Sequence, residues 1–73
     1  MIIYGKDNCS FCTRAKALAD KLGHTYVYKY VTEPEILEEL KALVPGVKSV
    51  PQIFIGDKHI GGYTEYLEYS KTL

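Results

Sequence analysis

Two cysteines stand three positions apart at Cys9-Ser10-Phe11-Cys12, and the chain has no others. A C-x-x-C pair where a strand runs into a helix can carry two-electron thiol chemistry. One sulfur attacks a disulfide, and the other resolves the mixed disulfide that forms. As a staple the pair is poor, because it closes a very short loop and removes little chain entropy. Cysteines that cannot staple point to reactivity. The competing readings are weaker. Two small buried hydrophobes need no such spacing. Structural zinc takes four ligands, usually from two such pairs. The two histidines, His24 and His59, do not lie at ligand spacing. No metal ligand is assigned.

The elements around the pair decide how reactive it is. Met1-Ile2-Ile3-Tyr4 is a continuous apolar run ending at Gly5, which reads as a buried strand. Lys6-Asp7-Asn8 is turn chemistry. From Cys9 the period changes: Phe11, Ala15, Leu18, Ala19 and Leu22 share one helical face. The helix is predicted over Ser10–Leu22, with Gly23 as its stop. Cys9 then sits at the N-cap and Cys12 about one turn in. The first N–H groups of a helix lack internal partners and carry about half a positive charge. Those groups, with Lys6 and Arg14 nearby, are expected to favour the Cys9 thiolate. A fall of about three units from a free value near ~8.5 is worth about 4 kcal/mol, and it makes most of the thiol ionised at pH ~7. Cys12, closer to the core, is expected to stay protonated and to act as the resolving thiol.

Thr25–Val31 is rich in β-branched and aromatic residues and reads as a second strand. Thr32 with Glu35 forms a predicted capping box, and Pro34 fits the first turn of the helix that follows. Ile36, Leu37, Leu40, Leu43 and Val44 form its apolar face, and Pro45-Gly46 ends it. Gln52–Ile55 is a third strand, Gly56-Asp57 a turn, and Lys58–Ile60 a fourth strand broken by Gly61-Gly62. A last helix starts near Thr64 and carries Tyr66, Leu67 and Tyr69. The order β-α-β-α-β-β-α gives an α/β fold. The first two strands are parallel across a helical crossover, and the last two form a hairpin. Residues 1–73 read as a single domain with one four-stranded mixed sheet and helices packed on it.

Nine basic and nine acidic residues give a formal net charge of zero, with lysines interleaved among glutamates. A nucleic-acid binder shows a basic surplus or stripe, so that class is set aside. No apolar run approaches the roughly 20 residues of a membrane helix. Met1–Gly5 lacks the basic lead and long apolar core of a signal peptide. A cytoplasmic location is expected, where thiols are held reduced.

Taken together, these residues resemble the glutaredoxin family. Lys6 precedes the C-x-x-C by the family's usual gap, and Phe11 stands where the family usually has Tyr. Ser49-Val50-Pro51 followed by Gln52-Ile53-Phe54-Ile55-Gly56 is similar to the family's Thr-Val-Pro segment and the strand after it. Gly61-Gly62 then opens the last helix.

The resemblance implies a thioredoxin-like fold and glutathione-dependent thiol–disulfide exchange, with Cys9 as nucleophile and Cys12 as resolving thiol. It implies that Val50 pairs its backbone with the cysteinyl part of glutathione, as an added strand does, and that Pro51 is cis. Lys6 and Lys48 would meet glutathione carboxylates. Phe11 would form a wall, and Gly62, Tyr63 and Thr64 would hold the γ-glutamyl end at a helix N-terminus. Glutathione is the implied co-substrate, with no tightly bound cofactor. Disulfide-bearing or glutathionylated proteins are the implied partners, ribonucleotide reductase among them, and the chain is expected to act as a monomer.

Two departures open alternatives. Ser10 replaces the family's common Pro, and some glutaredoxins with Ser there resemble the class that holds a [2Fe–2S] cluster between two monomers with glutathione as extra ligands. Thr64 stands where the family often has Asp, with Glu65 beside it as a substitute. A third reading is a hydrogen donor to ribonucleotide reductase that is itself reduced by thioredoxin reductase.

Overall fold

The computed structural model describes residues 1–72. Seven elements follow in order: β1 (Ile2–Gly5), α1 (Ser10–Leu22), β2 (Val27–Tyr30), α2 (Pro34–Leu43), β3 (Gln52–Ile55), β4 (Lys58–Gly61) and α3 (Tyr63–Ser70). The sheet runs β2-β1-β3-β4. β1 pairs parallel with β2 and antiparallel with β3, and β3 pairs antiparallel with β4. This is the mixed four-stranded α/β sheet expected from the order of elements.

Period-two alternation on the two central strands builds a core on each face of the sheet. Ile3 of β1 and Ile53 of β3 point to one face, where they meet Ala15 and Ala19 of α1 and Tyr66 of α3, all five fully buried. Tyr4 and Phe54, the next residues on the same strands, point to the other face and meet Leu40 of α2. The alanines let α1 lie close to the sheet. The Tyr66 hydroxyl, buried under α1, is 2.7 Å from the His24 ring nitrogen Nδ1. Tyr4 donates its hydroxyl to Glu39 on α2, and Glu39 also pairs with Lys29 of β2 at 2.7 Å. Burial, followed by the contact with Glu39, pushes the Tyr4 phenol up to about 12. The hydrogen bonds from Lys29 and Tyr4 hold the Glu39 carboxyl below its ordinary value.

α1 has the predicted bounds. Gly23 follows its last turn at φ 73°, and the N–H groups of Gly23 and His24 bond back to Asp20 and Ala19 at 3.2 and 2.9 Å. This is the left-handed stop that glycine makes without strain. α2 departs from expectation at both ends. Its N-cap is Glu33, with no side-chain cap bond, so Thr32 and Glu35 do not form a capping box. The reason is register. The Glu33 N–H closes a turn on Tyr30 at 3.1 Å, and the helix starts at Pro34, one residue later than the box requires. At the other end Leu43 is exposed, while Ile36, Leu40 and Val44 of the same period pack against the sheet. β1 and β4 each run to the glycine that was expected to end them, and β2 keeps only the centre of its apolar run. No helix among the described residues is long and apolar enough to cross a membrane.

Candidate functional site

Strand β1 delivers the chain into the three exposed residues Lys6, Asp7 and Asn8, and Cys9 follows at the N-cap of α1. Asn8 holds φ 55°, a left-handed conformation that Asn tolerates better than most residues. Cys9 is extended at φ −121° and ψ 107°, which turns its sulfur back over the helix start. The Cys12 N–H donates to Cys9 Sγ at 3.2 Å. The sulfur thus takes the place of the Ser or Asp oxygen that usually satisfies this orphan donor.

The two cysteines are joined as a disulfide. Cys9 is half-buried, whereas Cys12 is 1% exposed against the core. Only one sulfur of the pair can be approached from outside. The Cys12 N–H is a donor aimed at the Cys9 sulfur, while no such donor is aimed at the Cys12 sulfur among the described hydrogen bonds.

The second half of the site arrives from the loop before β3. The Val50–Pro51 peptide bond is cis, and the Val50 carbonyl oxygen lies 3.9 Å from Cys9 Sγ. In the disulfide state that sulfur has no proton, so this is an approach and not a hydrogen bond. The third part is the start of α3. A register shift in the β3–β4 ladder follows Ile53, and Gly61 takes φ 118°, a conformation open to glycine. The chain thereby turns into Gly62, the N-cap of α3. Glu65 reaches back and accepts the Gly62 N–H at 2.7 Å.

These parts frame two adjoining clefts that share Ser49 and Val50. One, of about 200 Å³, is lined by Phe11, Pro51, Gly62, Tyr63, Thr64 and Glu65 besides the shared pair. The other, of about 230 Å³, has Lys6 and Lys48 on an apolar lining of Val31, Leu37, Leu40 and Val47. Phe11 is half exposed and lies 6.0 Å from the Tyr63 ring, so it is a wall and not a core residue. The eight residues singled out beside the cysteines all line these two clefts: Lys6, Phe11, Lys48, Val50, Pro51, Gly62, Tyr63 and Thr64.

Three features were not foreseen. Arg14, expected to add charge near Cys9, sets its guanidinium over the Phe11 ring, 5.2 Å from the centroid. Glu65 already occupies one N–H of the α3 N-terminus; the Gly-x-x-Glu spacing of a capping box was the signal for it. Leu37 and Val47 line the lysine-bearing cleft, and nothing in their periodicity distinguishes them from core residues.

A family model described as glutaredoxin matches residues 1–60. The chain is 42% identical to glutaredoxin 1 of Escherichia coli over 78 residues, covering 96% of this chain and 91% of the relative. It is also 42% identical to a glutaredoxin of Haemophilus influenzae, with 90% and 84% covered. Among solved structures, reduced E. coli glutaredoxin superposes with a TM-score of 0.82 at 37% identity, covering 97% of this chain and 92% of that one. A buckwheat glutaredoxin–glutathione complex also gives 0.82, at 32% identity, covering 97% of this chain and 67% of that one.

Proposed function

The chain belongs to the glutaredoxin family and is a thiol–disulfide oxidoreductase, and we propose that it draws its electrons from glutathione through Cys9 as the attacking thiol. The observation that carries this reading is the inequality of the two sulfurs. Cys9 is approachable and faces an N–H donor, and Cys12 is buried behind it.

The Cys9 thiolate attacks one sulfur of a protein–glutathione mixed disulfide, forming a Cys9–glutathione bond as the protein thiolate leaves. The helix N-terminus stabilises the anion before attack and again when Cys9 becomes the leaving group. A second glutathione thiolate then attacks the glutathione sulfur, and glutathione disulfide departs with the two electrons accounted for. For a protein disulfide, the Cys12 thiol loses its proton and attacks the Cys9–protein bond. This produces the Cys9–Cys12 disulfide, which two glutathiones reduce.

Glutathione suits the two clefts by chemistry. Lys6 and Lys48 offer ammonium groups to its carboxylates, and the Val50 backbone offers an edge for strand-like pairing. Tyr63 and Thr64, at the start of α3, suit the γ-glutamyl end, and Glu65 offers a partner for its ammonium group. The buckwheat relative in complex with glutathione supports the same ligand. A reducing cytoplasmic setting fits a dithiol cycle.

The test uses two variants and two substrates. Cys9→Ser should lose both activities to background. Cys12→Ser should keep release of glutathione from a mixed disulfide but lose reduction of protein disulfides. Mixed-disulfide activity retained in Cys9→Ser would overturn the assignment. Reduction by thioredoxin reductase and not by glutathione would favour the hydrogen-donor reading. A coloured dimer after anaerobic purification with iron, sulfide and glutathione would favour the cluster carrier.

A further inference from the structure

The three residues before Cys9 are exposed, and they connect two rigid elements. At one end Gly5 is fixed in the sheet, its carbonyl accepting the Val31 N–H at 2.9 Å. At the other end Cys9 is fixed by the helix. Among the described residues, one side-chain hydrogen bond holds the segment between: the Tyr28 hydroxyl on β2 donates to the Lys6 carbonyl at 2.9 Å.

The chain is shaped to let that bond form. A Cβ on Gly5 would overlap the Tyr28 hydroxyl and lie 2.7 Å from Tyr28 Cζ. The absence of a side chain at position 5 is therefore what lets the tyrosine cross β1 and reach the loop. Its ring is held from two sides. The Lys16 ammonium of α1 sits 4.3 Å from the ring centroid, and the Tyr30 ring meets it edge-on at 5.0 Å. Burial raises the Tyr28 phenol above its ordinary value, and the neighbouring Tyr30, Asp7 and Tyr26 add to this. The hydroxyl therefore stays protonated, and remains a donor, through the neutral range.

We infer that Tyr28 is a positioning residue of the thiol site, anchoring the Lys6–Asn8 loop so that Cys9 is held as the N-cap of α1. The inference rests on the proposed reading of Cys9 as the attacking thiol. It deepens that reading by tracing the reactivity of the residue at the N-cap of α1 to a hydroxyl on strand β2. Tyr28 touches no reacting atom. It acts through the Lys6 carbonyl, three residues before the sulfur. Loosening the loop lets Cys9 leave the geometry in which its sulfur accepts the Cys12 N–H, and the thiolate loses a charge-assisted hydrogen bond.

Tyr28→Phe removes the hydroxyl and keeps the ring, with its contacts to Gly5 and Lys16. The measurement is the pH dependence of Cys9 alkylation by iodoacetamide. It is made on reduced protein carrying Cys12→Ser, so that Cys9 is the single thiol while residue 12 keeps its backbone N–H. Tyr28→Phe should raise the alkylation midpoint by about half a pH unit or more, about a threefold loss of thiolate below the midpoint. Gly5→Ala, which displaces the ring, should shift the midpoint the same way where it folds. An unchanged midpoint in folded Tyr28→Phe, with only a lower Tm, would make the tyrosine a packing residue and overturn the inference. Mapping the label in the protein with both cysteines tests the underlying reading separately. Labelling of Cys12 first would overturn the nucleophile assignment, while the effect of Tyr28 on the Cys9 midpoint stays decidable.

Discussion

The two faces of the sheet are built differently. On one face, α1 and α3 close over Ile3 and Ile53 with small residues and a tyrosine, a mainly apolar core whose tyrosine hydroxyl meets His24. On the other, α2 covers a smaller fully packed group of Tyr4, Leu40 and Phe54, and a polar link runs from Tyr4 through Glu39 to Lys29. The first face carries the two helix starts that frame the cysteines and the Gly62–Thr64 segment. The second carries the cleft with Lys6 and Lys48. Rigid packing thus lies under the atoms proposed to react. The helix with an uncapped N-terminus lies beside the cleft proposed to take a carboxylate. A fold this small can concentrate its apolar packing behind the thiols and hold the other face partly by polar contacts.

The largest effect should come from the first face. Ile53→Ala removes a fully buried side chain between β1, α1 and α3. It should cost about 3 kcal/mol in denaturant unfolding, within the ~2–5 kcal/mol of buried Ile→Ala changes. Tyr4→Phe keeps the ring and removes the link to Glu39. It should cost about 1–2 kcal/mol, a hydrogen bond to a charged acceptor discounted for the partial exposure of Glu39. A Tyr4→Phe loss equal to that of Ile53→Ala would break the distinction between the faces.

The smallest effect is a pH dependence. Glu39 has a lowered value in the fold, so its contribution is present above the unfolded value near 4.5 and is lost as pH falls through the folded one. Tyr4 has a raised value, so its contribution is present below 10 and is lost as pH rises from there to about 12. Tyr4→Phe should therefore reduce the alkaline limb of a Tm-against-pH curve, the raised Tyr26, Tyr28 and Tyr66 phenols supplying what is left, and reduce the acid limb in part, since Lys29 remains paired with Glu39. An alkaline limb of unchanged slope would remove Tyr4 as a source.

Much of this arrangement is legible along the chain. The limits of α1 follow from a 3.6-residue period that runs from Phe11 to Leu22 and stops at Gly23, and both signals are local. The β3–β4 hairpin follows from Gly56-Asp57, which can turn within two residues. The start of α2 was misplaced by one residue because two local signals compete at Thr32–Glu35. The capping pattern favours a start after Thr32, while the turn made by Glu33 on Tyr30 delays it. Leu43 fits the helical period of α2, but which residues of that period meet the sheet depends on how the helix is rotated against it, which is not a property of the period.

Which residues repeat with which period, where the chain must turn, and that two cysteines stand at a helix start can all be read along the chain. Those are properties of neighbours along the chain. Tertiary structure decided which of these groups meet. It brought the Val50 carbonyl to Cys9 across 41 positions, Tyr4 to Glu39 across 35, and the Tyr28 hydroxyl to the Lys6 carbonyl across 22. Each depends on how strands order in the sheet and on the direction of a side chain at a crossing. Packing of the whole chain sets both, and no short window of residues carries that information.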